Sequence, residues 1–382
     1  MGTTKFGFSF SSSSDPSADG AAAFTRQVAR LHAALADDGI AFSDMRRADA
    51  LELVLAGADE PGPPHERPPL PEIERLEGPI VPRRIVPAAP GASRLRYFLD
   101  GSQRTLPVCR VGVVPIVTVI ASAAVLARDE RGQPRVAPGS LRLRHAWLVP
   151  RSAPDPALRR LAARLDALGF PVEDPLDACQ SADEYAAIAG DYGAVVEAAY
   201  RRARKVRERL ESDLLHDWAA APERAADDGW IVVDGRLRVT LPRALGLVKD
   251  LANQHLSGEE ATALFGLPPG YRTSAFRARD RFRSVGLAAR SPQDDEAPTL
   301  WYLRLWDASG LDARHALVRI EAAPAVRETA QIDALSSWLL AERIPRATAD
   351  ERWATLLYPI HYLERILKRR VDADTRGWPG AR

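Results

Sequence analysis

The stretch Leu95-Arg-Tyr-Phe-Leu-Asp-Gly-Ser102 governs how the rest of the chain is read. Tyr97, Phe98 and Leu99 are apolar and β-prone, and the loop-like Pro90-Gly91-Ala92-Ser93 precedes them, so the segment predicts a strand. The strand is expected to stop at Asp100-Gly101, with a carboxylate at its carboxyl end and a glycine that permits close approach. A second apolar run, Trp230-Ile-Val-Val-Asp234-Gly235, ends the same way. One Asp-Gly ending is a common turn. Two of them on two hydrophobic strands suggest two carboxylates side by side on adjacent strands. Close carboxylates raise each other's pKa unless a cation sits between them. The economical role for the pair is holding a hard divalent metal.

Composition bounds the alternatives. With 382 residues the chain is long enough for a core and a second lobe. Hydrophobic residues make up 46% and charged residues 27%, as in an ordinary soluble protein. The net charge of +1 rules out a global basic field, so any nucleic-acid contact must use local patches. Cys109 and Cys179 are too few and too far apart for a zinc site or a disulfide framework. The start lacks a signal-peptide pattern, and the longest apolar run, Val111 to Leu126, contains Pro115 and is short for a membrane span. A cytoplasmic protein without a membrane partner is the expectation.

Residues 8–20 are rich in Ser, Gly and Asp and predict little order. Ala21 to Leu55 has helical spacing at Phe24, Val28, Leu31 and Leu35. Residues 60–92 are rich in proline and read as an extended connector. These features divide the chain at residue 92, an N-terminal helical segment with its connector at 1–92 and the main domain at 93–382. Within that domain, Val111–Ala127 predicts strand, a kink at Pro115 and more strand, and residues 141–149 a further strand. Asp155–Leu168 and Asp183–Trp218 are helical by period, and Pro242–Leu256 reads as a helix carrying Lys249. Strands at 300–306 and 316–321 follow, then helices at Thr329–Glu342 and Leu356–Val371. Strands with interleaved and closing helices predict an α/β core.

Two aspartates rarely complete a magnesium or manganese site. The long helix before the second Asp strand carries an apolar stripe at Ala199, Ala203, Val206, Leu210 and Leu214. At roughly 100° per residue, Glu208 points nearly opposite that stripe, towards water, while Glu211 lies on its flank. Glu211 is the favoured third ligand, with Asp213 on the other flank as the alternative. On the closing helix Glu364 flanks the stripe Leu356, Ile360, Leu363, Leu367 and Val371, and Tyr358-Pro359 opens it. Near a scissile phosphate, Lys249 would offset charge. The basic stretch Arg272 to Arg283, with Arg277, Arg279, Arg281 and Arg283, could contact a nucleic-acid backbone, and Phe276 could stack on bases; a solvated basic strand is the alternative.

The order FLDGS (98–102), a long helix, VVDGRL (232–237), LGLVKD (245–250), WYLRL (301–305), LVRIE (317–321) and LYPI (357–360) resembles the NurA family of DNA-repair nucleases. The resemblance spans roughly Leu95 to Val371 and implies an RNase H-like mixed-sheet core flanked by helices. It also implies Mn²⁺- or Mg²⁺-dependent cleavage of DNA, chiefly at ends and also within single strands. A homodimer working with a hexameric HerA-type ATPase, in end processing or defence against phage, completes that expectation. Carried over to this chain, Asp100 and Asp234 match the family's two metal-site aspartates, Glu211 its helix glutamate, Lys249 its lysine and Tyr358 its C-terminal tyrosine. Two positions depart from the pattern. Arg236 stands where the second motif commonly has serine, and Ile366 where many members place a histidine, with His361 and the preferred Glu364 as nearby substitutes. These departures favour a second reading, a non-catalytic adaptor docking an ATPase ring.

Overall fold

The computed structural model describes residues 71–375 apart from 130–131, 225, 239–240, 250–254, 280–296, 308–312 and 344–354, together with helical positions between residues 26 and 37. Most of the expected Ala21–Leu55 helices, and all of 8–20, lie outside the described residues. Among those described, Leu31 is helical and buried.

One mixed sheet runs through the molecule. Its strands are β1 (Glu72–Arg75), β2 (Pro82–Arg84), β3 (Leu95–Val111), β4 (Val114–Arg128), β5 (Pro134–Val136), β6 (Arg142–Leu148), β7 (Val172–Glu173), β8 (Trp230–Asp234), β9 (Ala244–Val248), β10 (Tyr271–Thr273), β11 (Phe276–Arg279), β12 (Thr299–Arg304) and β13 (Leu317–Ala322). The spatial order is β1-β11-β12-β13-β9-β8-β3-β4-β6-β7, with β2 joined through β10 to β12 and β5 alongside β4. The helices are α1 (Pro156–Ala167), α2 (Ala182–Ala189), α3 (Tyr192–Ala220), α4 (Gly258–Phe265), α5 (Thr329–Glu342) and α6 (Tyr358–Asp374). This is an α/β architecture, a large mixed sheet flanked by helices. Among the described residues no helix is long and apolar enough to cross a membrane.

The centre of the sheet is a parallel trio. β8 lies between β3 and β9 and is parallel to both, with Leu99 opposite Val233 and Val233 opposite Gly246. Asp100 and Asp234 therefore follow paired residues on neighbouring strands, as two Asp-ended strands predict. Only β8 stops at its aspartate. β3 continues through Asp100-Gly101 to Val111 and turns back into β4, pairing Asp100 with Ala124. The strand end expected at Asp100 is corrected in this respect: the apolar run of β4 supplies enough partners to carry β3 past Asp-Gly. The kink expected at Pro115 is also absent, because Pro115 sits in β4 opposite Arg110.

Pleating sends alternate residues to opposite faces. Phe98, Val232 and Leu247 join a core cluster with Ile360, Leu363 and Leu367 of α6. Leu99 and Val233 join another with Val206, Leu210 and Leu214 of α3. The sheet is thus covered by α6 on one face and α3 on the other. By that alternation Asp100 and Asp234 belong to the α6 face, and Gly101 to the α3 face.

Several other expectations change. The helix expected at Pro242–Leu256 is the buried strand β9; its short apolar run Ala-Leu-Gly-Leu-Val has no polar face to give a helix a solvent side. The helix expected over Asp183–Trp218 is broken at Gly190-Asp191, where the Asp191 carboxylate accepts the Ala194 N–H at 2.9 Å and starts α3. Part of the proline-rich connector is built into the sheet: β1 pairs with β11 and β2 with β10, both antiparallel.

Candidate active site

Asp100 is 4% exposed. Its Oδ1 accepts the Gly101 N–H at 2.8 Å, and its Oδ2 is buried without a hydrogen-bond partner. Burial, then the nearby Asp234 charge, holds its pKa well above the ordinary carboxylate range; Lys249 opposes that rise, and Glu211 and Glu364 add to it. Four charged groups from four separate chain segments therefore act on Asp100.

Asp234 ends β8, where the sheet opens into a cleft of about 530 Å³. Lys249 follows the last residue of β9 and sets its Nζ 2.8 Å from both carboxylate oxygens of Asp234. The strand explains this reach. Leu247 faces the α6 side with Val232, so Lys249 two residues on returns to the side of Asp234.

Glu211 comes from the other face. A side chain at Gly101 would put its Cβ 2.0 Å from Glu211 Oε1 and 2.8 Å from its Cδ and Cγ, so the glycine is the opening through which the carboxylate leans onto β3. Burial raises the Glu211 pKa to about 7, with Arg207 opposing and Asp234 and Glu208 contributing. Its Oε1 is also buried without a hydrogen bond, the Arg207 Nε standing 3.6 Å away. Buried carboxylate oxygens without a hydrogen bond carry a large desolvation cost, and they mark where a cation would be welcome.

The structure places Glu211 against β3 at Gly101. Asp213, the alternative, is exposed and lies 3.9 Å from Arg144 of β6, away from the cleft. Glu208 does not face water as expected: it lines the cleft and pairs with Arg238 at 2.7 Å. The cleft wall reaches further round α3 than the apolar stripe indicates. Glu364 is half-buried on α6, held by Lys368 at 2.8 Å, and is felt at Asp100.

The remaining expected residues are not brought to this cleft. Tyr358 is 52% exposed at the start of α6, its ring stacked on Tyr362 at 6.4 Å, and does not line the cleft. Phe276 is fully buried among Tyr302 and His255, so it offers no face for base stacking. Arg277 is half-buried, donating to the Pro324 carbonyl at 2.7 Å and lying 3.7 Å from Glu74. Arg272 is also buried, clamped by Glu77 and Asp333. Arg279 contributes backbone to β11 opposite Glu72, while Arg281 and Arg283 lie outside the described residues. The cations that do line the cleft are Arg204 and Arg207 of α3 and Arg236 and Arg238 of the segment after β8, with Lys249. Sequence reasoning missed Arg204 and Arg207 because a basic helix face reads as solvated.

The oxygen-rich donor set suits a hard divalent cation. Among the described residues no three His, Cys, Asp or Glu side chains already stand at ligand spacing. The geometry accounts for this: Glu211 approaches from the face opposite Asp100, and Lys249 holds the oxygens of Asp234.

No family model and no curated protein matches this chain.

Proposed function

We propose that this protein is a divalent-metal-dependent deoxyribonuclease on an RNase H-like core. The observation that carries the reading is that Asp100 and Asp234 stand on neighbouring strands while Glu211 reaches the same strand at Gly101 from the other face, with one buried oxygen of Asp100 and one of Glu211 making no hydrogen bond. Like charges held together and dehydrated are costly, and function is the usual reason for keeping them. Asp100, Asp234 and Glu211 would hold Mn²⁺ or Mg²⁺, with Glu364 near enough to support them. A bound ion supplies a water of lowered pKa and offsets charge on a phosphodiester. The chain's own cations do the rest: Arg204, Arg207, Arg236 and Arg238 draw the backbone phosphates into the cleft, and Lys249 neutralises the excess charge beside Asp234.

With a net charge of +1, the protein attracts DNA through this cleft rather than through a global field. A partner that delivers DNA is therefore part of the proposal: a homodimer served by a HerA-like hexameric ATPase. Cleavage of linear DNA is predicted to be slow for the isolated protein with Mn²⁺ and faster once that ATPase and ATP are added. Asp234→Asn should assemble with the ATPase and leave the DNA uncut. One observation favours the adaptor reading instead, the Lys249 ion pair that already occupies Asp234. It prevails if the wild-type assembly forms but cuts DNA with neither metal.

A further inference from the structure

The motif LVRIE at 317–321 is the strand β13, and its two charged residues are buried rather than solvated: Arg319 is 1% and Glu321 3% exposed. Arg319 Nη2 donates to Glu321 Oε1 at 2.9 Å. The other oxygen, Oε2, accepts the backbone N–H of Leu237 at 3.0 Å. That amide lies 84 residues earlier in the chain, three positions after Asp234.

The local packing shows why this contact can form. Glu321 pairs with Gly246 of β9, and directly paired residues share a face of the sheet. A Cβ on Gly246 would stand 2.8 Å from the Gly235 carbonyl oxygen and 2.9 Å from the Leu237 nitrogen. The strap Gly235–Arg238 therefore folds back onto β9 through the gap a glycine leaves, and the Glu321 carboxylate catches it there. The strap follows directly on Asp234, the last residue of β8, and carries Arg236 and Arg238, both in the cleft wall. Arg238 then crosses to Glu208 on α3 at 2.7 Å, closing the loop of contacts across the cleft mouth.

We propose that Glu321 is a positioning residue for the candidate active site: its buried carboxylate hooks the Leu237 amide and thereby fixes the strap that aims Asp234 and presents Arg236 and Arg238. The inference rests on the nuclease reading for its effect on cleavage, but the hook itself is independent of it. Arg319 holds the carboxylate in place from below and is in turn close to the Tyr302 hydroxyl, which contacts His255 Nδ1 at 3.1 Å. A free strap would let Asp234 drift, and a displacement of about 1 Å in a catalytic group can cost on the order of 100-fold in rate.

Removing Glu321 alone would strand the buried Arg319 charge and risk unfolding. The test therefore compares two double variants that both discard the ion pair. Arg319→Met with Glu321→Gln keeps an acceptor oxygen for Leu237; Arg319→Met with Glu321→Leu does not. Amide hydrogen exchange across residues 235–238 reads the hook, and Mn²⁺-dependent cleavage of linear DNA, split into kcat and KM, reads its consequence. The Gln pair should keep the strap slow to exchange and retain most of its kcat. In the Leu pair the strap should exchange at least about tenfold faster, with β12 and β13 unchanged, and kcat should fall on the order of 100-fold. Equal strap exchange in the two variants overturns the hook. Faster exchange with equal kcat overturns the positioning role. Wild-type cleavage by Asp100→Asn, run alongside, overturns the nuclease reading and the positioning role with it, while leaving the hook to the exchange result.

Discussion

Replacing Gly101 by alanine separates the site from the fold. The backbone there lies outside the left-handed region, so alanine meets no conformational strain. What it meets is Glu211: the new methyl would stand 2.0 Å from Oε1, and contacts below 3.0 Å force a shift of about 1 Å. The moving part is the end of a flexible side chain, which limits the damage to the core. Overpacking of this kind costs about 1–3 kcal/mol. Alanine in place of a strand glycine returns about 0.5–1 kcal/mol, and a carboxylate pushed towards water recovers part of its desolvation. A net destabilisation of about 1 kcal/mol follows, a fall of roughly 2–4 °C in the thermal midpoint for a domain of a few hundred residues. A ligand moved by an ångström should lose on the order of 100-fold in rate. The assay is thermal denaturation beside Mn²⁺-dependent cleavage of a labelled linear DNA, with Glu211→Gln as reference. A Gly101→Ala protein that folds normally and cuts within twofold of wild type would refute the role given to Glu211.

Two further predictions use pH, with opposite signs. The Glu211 pKa is raised by burial to about 7 from an ordinary value of 4.5, so the folded state keeps a proton that the unfolded chain releases. Stability of the metal-free protein should therefore fall as pH rises from 4.5 through 7, by at most about 3 kcal/mol. Glu211→Gln should remove that loss and be the more stable protein at pH 8 in a chelator; a wild type as stable as the variant there would contradict this. Glu77 behaves the other way. Burial alone would raise its pKa, but Arg272, Thr329 and the Ala275 N–H carry it down to about 2. Its contribution is present above pH 4.5 and is lost as pH falls towards 2, and Glu77→Gln should cost about 3 kcal/mol at pH 7 and little at pH 2. Denaturant titrations at the two pH values check it.

The parts of the fold that were legible are those with one dominant periodicity. The α3 stripe from Ala199 to Leu214 fixed the helical phase and brought Glu211 to the sheet, because both the stripe and its flank are set by the same 3.6-residue turn. Asp234 was legible as a strand end because Gly235 and Arg236 break the apolar run directly after it. Asp100 was not, since whether β3 stops at Asp-Gly depends on the partner strand β4 rather than on local residues. Lys249 was placed on a helix because a five-residue buried run has no periodicity to distinguish helix from strand. The basic stretch around Arg272 misled for a different reason. Its partner Glu77 is 195 residues away, and a buried ion pair spanning that distance leaves no pattern in either segment. Gly101 and Gly246 carry the closest approaches in the site, and a glycine's neighbours across space cannot be read from the glycine.

The most direct measurement compares purified wild type with Asp100→Asn on linear DNA, with Mn²⁺ or with chelator, after both proteins are shown to melt as single folded species. Neutralising a buried carboxylate crowded by Asp234 should leave the fold intact and, in chelator, raise the melting temperature. The account predicts Mn²⁺-dependent cutting by wild type, none in chelator, and none by Asp100→Asn under either condition. Equal cutting by the two proteins, or cutting that ignores the metal, would contradict it.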